Sequence, residues 1–267
     1  MLKDITLGQY FPGDTVVHRL DPRTKILLVF LYIVALFVAN SWVTYALMAL
    51  CLAGTIAVSK IRLKVMVKGL KPLLFVIVFT AVLNMFYTSG EILVSFWIFK
   101  ITREGIVNAI FMALRIVMLV MGTFMLTYTT SPIMLTYGLE LLMAPLKKVK
   151  VPVHELAMMM SMALRLIPTL IEETDKIMSA QKARGAEFDT GNLIEKAKAM
   201  LPILVPLFIS AFRRADELAT AMEARCYHGG ENRTRLNVLT LQRRDFLGLG
   251  LGVLLLAAVI VLVRLGI

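Results

Sequence analysis

The sequence predicts an all-α integral membrane protein with about five transmembrane helices and two further long cytoplasmic helices. Three observations carry that expectation. The 267-residue chain is 58% hydrophobic with a mean hydropathy of +0.78, outside the range of ordinary soluble domains. Its apolar blocks reach spanning length and are separated by basic connections. Between the fourth block and the last lies a long stretch whose own apolar runs are short, or broken by charge and proline.

A helix needs about 20 apolar residues, within a range of about 17 to 25, to cross the hydrocarbon core. Residues 25–39, 42–59, 72–88 and 105–130 read as spans in order, and residues 246–263 as a fifth. The first and third are short, so Arg23 and Lys71 are expected to snorkel or the bilayer to thin locally. Residues 92–101 are too few to span and rich in β-branched and aromatic side chains. They read as an external strand or interfacial segment holding Trp97 at headgroup level. Residues 1–25 hold charges and prolines without a small-residue cleavage site, so the first apolar block is expected to act as its own insertion signal.

Orientation follows from the basic residues. Lys3, Arg19, Arg23 and Lys25 precede the first span, Lys60 to Lys71 contribute five more after the second, and Lys147, Lys148 and Lys150 follow the fourth. All lie on one side, which the positive-inside rule makes cytoplasmic, and the N-terminus is expected there. The runs 156–171 and 199–212 are expected not to span: the first contains Arg165 and Pro168, the second Pro202 and Pro206. If both spanned, Lys176, Lys182, Arg184, Lys196 and Lys198 would lie outside. The expected organisation is a four-span membrane region over residues 1–130, a cytoplasmic region over 131–244 and a C-terminal span over 245–267.

The net charge of +11 is spread between apolar blocks, which suits anionic lipid heads better than nucleic acid. Cys51 and Cys226 cannot form a disulfide framework, and His18, His154 and His228 are scattered, so no metal or other cofactor is expected. There is no phosphate-cradling Gly-x-x-x-x-Gly-Lys-Ser/Thr loop and no recognisable nucleophile motif, so the chain reads as non-catalytic.

The stretch between the fourth and last spans contains an internal repeat. Ala183-Arg184-Gly185 lies over Ala224-Arg225-Cys226 at an offset of 41 residues, which also sets Asp175 on Asp216 and Ser179 on Thr220. Each helix begins apolar, turns charged and ends where a small residue precedes an arginine, leaving Arg184 and Arg225 at the tips. An arginine in a last helical turn complements the dipole; two at matching places suit planar donors for two similar pockets of a partner. The same offset lays Glu172-Glu173 over Arg213-Arg214, a pairing that would orient the two arms if they cross at that height.

Two other features stand out. Arg115 lies deep in the fourth apolar block, where it either pairs with another helix or a partner membrane subunit, or snorkels to a face. Among 17 methionines, the cluster Met158, Met159, Met160 and Met162 offers an adaptable surface for a membrane partner.

The run His18-Arg19-Leu20-Asp21-Pro22-Arg23-Thr24-Lys25, with Gly8-Gln9-Tyr10 before it and the two Ala-Arg-small motifs, resembles the transmembrane T component of energy-coupling factor transporters, related to the cobalt-transport permease subunit. The resemblance covers essentially the whole chain. It implies a bacterial plasma-membrane scaffold whose coupling helices hold two ATP-binding-cassette ATPase subunits through Arg184 and Arg225. It also implies contact with a separate substrate-binding membrane subunit, often for a vitamin. The second motif departs from the family by ending in Cys226 rather than glycine; cysteine is poorer at left-handed angles, so the second helix is expected to end later, near Gly229. The competing expectation is a self-sufficient channel or secondary carrier, which would need a polar pathway that the spans, apart from Arg115, Asn84 and Asn108, do not offer.

Overall fold

The computed structural model describes residues 10–88, 91–96, 99–186, 188, 192–230 and 238–266. The protein is an all-α membrane protein. Its chain forms two compact units, one from Gly8–Gly138 with Leu239–Ile267 and the other built on Leu139–Val238.

In the first unit α1 (Pro22–Val38) begins on Asp21, whose carboxylate accepts the Arg23 N–H at 2.9 Å, with Pro22 fitting the first turn. After a two-residue bend, Ser41 and Thr44 form a reciprocal capping box that starts α2 (Trp42–Ser59). The segment α3 (Leu63–Leu70) passes through a 3₁₀ turn at Lys71–Leu73 into α4 (Leu74–Tyr87). The hairpin β1 (Ile92–Phe96) and β2 (Phe99–Thr102) pairs antiparallel, and Trp97 lies outside the described residues. Then Thr102 accepts the Gly105 N–H at 3.1 Å and caps α5 (Arg103–Thr129), which is followed by α6 (Pro132–Leu142). The unit is completed by α9 (Arg243–Arg264), whose first turn is held by Asp245 accepting the Gln242 N–H at 2.7 Å.

Among the described residues, four helical stretches are long and apolar enough to cross a bilayer: Trp42–Ser59, Leu63–Tyr87, Arg103–Thr129 and Arg243–Arg264. The expected third span is thereby corrected. It is not a short helix starting at Pro72 but a 25-residue stretch beginning at Leu63. A proline near a helix start lacks only a donor that the turn can spare, so the 3₁₀ turn carries the chain through it. At 17 residues α1 is about 26 Å long, the shortest of the expected spans.

The core of this unit packs Leu36, Met48, Met118, Met125, Tyr128 and Val259, while α4 buries no residue and turns Phe75, Phe79 and Leu74 outward. An apolar helix with an uncovered surface is stable only where the surroundings are apolar too. Polar groups inside are matched to acceptors. Lys25 is 5% exposed, and its ammonium donates to the His18 carbonyl, the Thr129 carbonyl and the Thr130 hydroxyl at 2.8 to 3.2 Å. Arg115 donates from Nε to the Tyr45 hydroxyl at 2.8 Å and from Nη2 to the Ala39 carbonyl at 3.0 Å, at the C-terminal end of α1. Its guanidinium also lies over the rings of Phe37 and Tyr45. This charge caps the C-terminal end of α1.

The second unit contains α7 (Val153–Ala183) and α8 (Leu193–Ala224), of 31 and 32 residues. They absorb the two runs expected not to span, and neither helix is among the four apolar enough to cross. About a quarter of the residues in each are charged, which fits helices that present one side to water.

Candidate functional site

The two long helices run antiparallel. Gln181 of α7 donates to the Pro202 carbonyl of α8 at 3.4 Å, Glu173 meets Ser210 and Arg214, and Gly230, just beyond α8, abuts the His154 ring at the start of α7. Partner numbers fall as α7 numbers rise, so the two helix ends carrying arginines lie at opposite ends of the pair. Arg184 and Arg225 each lie eleven residues past the crossing at Glu173 and Arg214. At 1.5 Å per residue the two tips stand about 33 Å apart along the pair.

Both ends close in the same way. After α7 the Gly185 N–H donates to the Lys182 carbonyl at 3.0 Å and the Ala186 N–H to the Gln181 carbonyl at 3.0 Å. After α8 the Cys226 N–H donates to the Glu223 carbonyl at 2.9 Å and the Tyr227 N–H to the Met222 carbonyl at 3.0 Å. This is the Schellman arrangement, which requires a left-handed residue just after the cap; Gly185 has φ +89° and Cys226 φ +53°. The expectation that α8 would run on to Gly229 is overturned: it ends at Ala224, and Cys226 adopts the left-handed angle that its side chain disfavours. Arg184 and Arg225 are therefore equivalent cap residues. Both are exposed, and neither joins an ion pair among the described residues.

At the crossing the Arg214 Nη2 donates to Glu173 Oε2 at 2.9 Å, and the Ser210 hydroxyl donates to Glu173 Oε1. The Ser210 hydrogen bond, then the neighbouring Arg214 guanidinium, hold the Glu173 carboxyl below its ordinary range. Glu172 and Arg213 are exposed and the structure does not bring them together in an ion pair. Met158 and Met162 are half-buried, whereas Met159 and Met160 are exposed on α7. Ser210 was not singled out from sequence, although it precedes Arg214 by four residues and so shares its helix face. Nor was the contact between His154 Nδ1 and Glu140 Oε1, at 3.0 Å, which fixes the ring that Gly230 packs on. Of the N-terminal run, Gly8 and Gln9 lie outside the described residues; Asp21, Arg23 and Lys25 tie the start of α1 to Asp245, Leu239 and Thr129 of the same unit.

An apolar helical bundle joined in sequence to a pair of long helices with duplicated arginine ends defines a multi-pass membrane protein that carries a paired-helix region. Comparison with known proteins makes the assignment particular. A family model described as "Cobalt transport protein" matches residues 13–236. The energy-coupling factor transporter transmembrane protein EcfT of Ruminiclostridium cellulolyticum is 53% identical over 98% of each chain. Its namesake in Clostridium kluyveri is 57% identical over 92% of each, and that of Bacillus subtilis 49% identical over 92% of this chain and 93% of its own. The chain belongs to the EcfT family, the transmembrane T components of energy-coupling factor transporters.

Proposed function

We propose that the chain is the scaffold of an ATP-driven importer and docks one ATPase subunit on each of Arg184 and Arg225. The observation that carries this reading is the pair of identical Schellman ends about 33 Å apart. Each end offers a guanidinium free to form a planar, two-bonded contact with a partner carboxylate or carbonyl pair. Two equivalent ends fit two copies, or two near copies, of one kind of partner.

On this reading the ATPases hydrolyse ATP, and this chain transmits their change of spacing. Rigid helices carry displacement along their axes, and the crossing at Glu173 and Arg214 is where the two arms pivot. Glu172 and Arg213 join the pairing if the arms shift along one another. A separate substrate-binding membrane subunit, for a vitamin or another micronutrient, docks against apolar surface that includes Met158, Met159 and Met162 and is tilted as the arms move. The basic connections support a reading with the N-terminus and both arms in the cytoplasm of a bacterial cell and the bundle in its plasma membrane.

The test is co-purification. Arg184→Glu with Arg225→Glu, expressed alongside the neighbouring transporter subunits, should insert into the membrane normally yet lose the ATPases, each single variant losing part. A double variant that retains the full ATPase yield refutes the docking role.

A further inference from the structure

The membrane unit contains a cleft of about 440 Å³ that the scaffold reading does not use. Its walls come from α1, α2, α5 and α9 and are almost wholly apolar, including Leu28, Leu52, Met125, Leu251 and Leu255. Two glycines one helical turn apart on α9 line it: Gly248 leaves room beside Leu28, while the Leu28 side chain packs directly on Gly252.

The charged lining residues lie at one end, and Tyr32, Cys51 and Thr55 are other polar groups along the wall. Lys25, Thr129 and Arg244 line the cleft where α1 and α9 begin and α5 finishes. From Arg244 to Leu255 the wall runs eleven residues, about 16 Å, and one leaflet of a bilayer core about 30 Å thick is about 15 Å deep. The Arg244 Nε donates to Gln242 at 2.7 Å, and the other donors of its guanidinium have no partner among the described residues. Lys25 is buried and, among those residues, forms no ion pair. Around this end Arg23, Lys25, Arg243 and Arg244 outnumber Asp21 and Asp245. Asp21 is engaged by Arg23, and Asp245 accepts the N–H groups of Asp21 and Gln242. A cationic mouth above an apolar slot one leaflet deep matches a molecule with an anionic head and a single-leaflet tail.

We propose that this cleft binds an anionic phospholipid from the leaflet at the N-terminal end of α1, one acyl chain lying along Gly248 and Gly252 and the phosphate on Arg244. The site is independent of the ATPase-docking ends and would stand if those had another role.

The probe is a phosphatidylglycerol with a photoactivatable group in one chain, present as a minor component of phosphatidylcholine nanodiscs holding the full chain. Adducts mapped by mass spectrometry should concentrate on Leu28 over the outward-facing Val253 and Leu254. Phosphatidylglycerol should label these positions about fivefold better than phosphatidylcholine with the same chains, the preference expected from one basic residue. Gly248→Leu should abolish the cleft adducts, because a Cβ there meets its nearest atom at 3.6 Å and the longer side chain fills the slot. Arg244→Gln should keep the adducts and remove the headgroup preference. Equal labelling of cleft and outward positions, equal labelling by the two lipids in the unaltered protein, or adducts that survive Gly248→Leu would overturn the proposal. So would displacement of the label by inorganic phosphate alone, or shielding of Leu28 by a co-purifying protein subunit. Should Gly248→Leu fail to fold, the headgroup comparison in the unaltered chain and in Arg244→Gln decides the matter.

Discussion

Replacing Cys226 by glycine should tighten the end of α8, and replacing Gly185 by alanine should loosen the end of α7. Both positions occupy the left-handed slot of the same hydrogen-bonded turn. A side chain at such an angle costs about 1–2 kcal/mol, and the greater freedom of glycine in the opened state returns about 0.5–1 kcal/mol. The net is about 0.5–1 kcal/mol for each change, with opposite sign. At Gly185 an added Cβ would meet nothing within 4 Å, so the loss there is purely one of backbone conformation. Amide hydrogen exchange reads these turns directly, since the Ala186 and Tyr227 N–H groups make the closing bonds. Cys226→Gly should raise protection at Tyr227 about two- to fivefold, and Gly185→Ala should lower it at Ala186 by a similar factor. If Cys226→Gly leaves Tyr227 unchanged or less protected while Gly185→Ala acts as stated, Cys226 does not hold a left-handed angle and the two ends are not equivalent.

Arg115→Met should lower the melting temperature of the purified protein by removing hydrogen bonds worth about 1.5–3 kcal/mol each when one partner is charged, and Arg115→Lys, lacking the fork that reaches both Tyr45 and Ala39, should restore little of it. The depressed Glu173 carboxyl stays ionised above its ordinary value of 4.5, so its contribution to the crossing is complete at neutral pH and lost as pH falls through the lower folded value. Spin labels at the exposed Ser179 and Thr220 should therefore report one distance from pH 8 to pH 5 and a broadened distribution only below about pH 4.5. Glu173→Arg and Arg214→Glu should each reduce recovery of the assembled transporter, and the two together should restore most of it; a double variant no better than the worse single one rejects the pairing.

The spans were largely legible because length and hydrophobicity decide them: α2, α5 and α9 fall within a few residues of the expected limits. The start of the third span was not, since Pro72 reads as a helix start and only the backbone reveals the 3₁₀ turn that carries the helix through it. The repeat was legible to the residue, but the direction of its pairing was not drawn from it. A fixed offset is equally compatible with parallel and antiparallel arms. The short connection from Ala183 to Leu193 was the available signal, because brief links join antiparallel helices. Cys226 misled for a physical reason: its intrinsic preference argued for a later stop, and the backbone bonds of the turn outweighed it. Ser210 and the His154–Glu140 contact depend on which residues of distant helices meet, which no local pattern encodes.

The position of the crossing follows from the repeat itself. In two helices related by a two-fold axis, a residue and its repeat equivalent can touch only near that axis, and Glu173 and Arg214 are equivalents at the offset of 41 that touch. The axis therefore passes between them, which is why the two arginine ends are equidistant from it. A symmetric pair would place two like charges there; glutamate on one arm and arginine on the other turns that repulsion into an attraction and sets a single register. Both side chains are partly exposed, at 24% and 38%, and an ion pair so placed contributes little to stability. Under the proposed coupling role, it would supply a reference point about which the arms turn, and displacement delivered at one end would be carried through the centre to the other with equal lever arms.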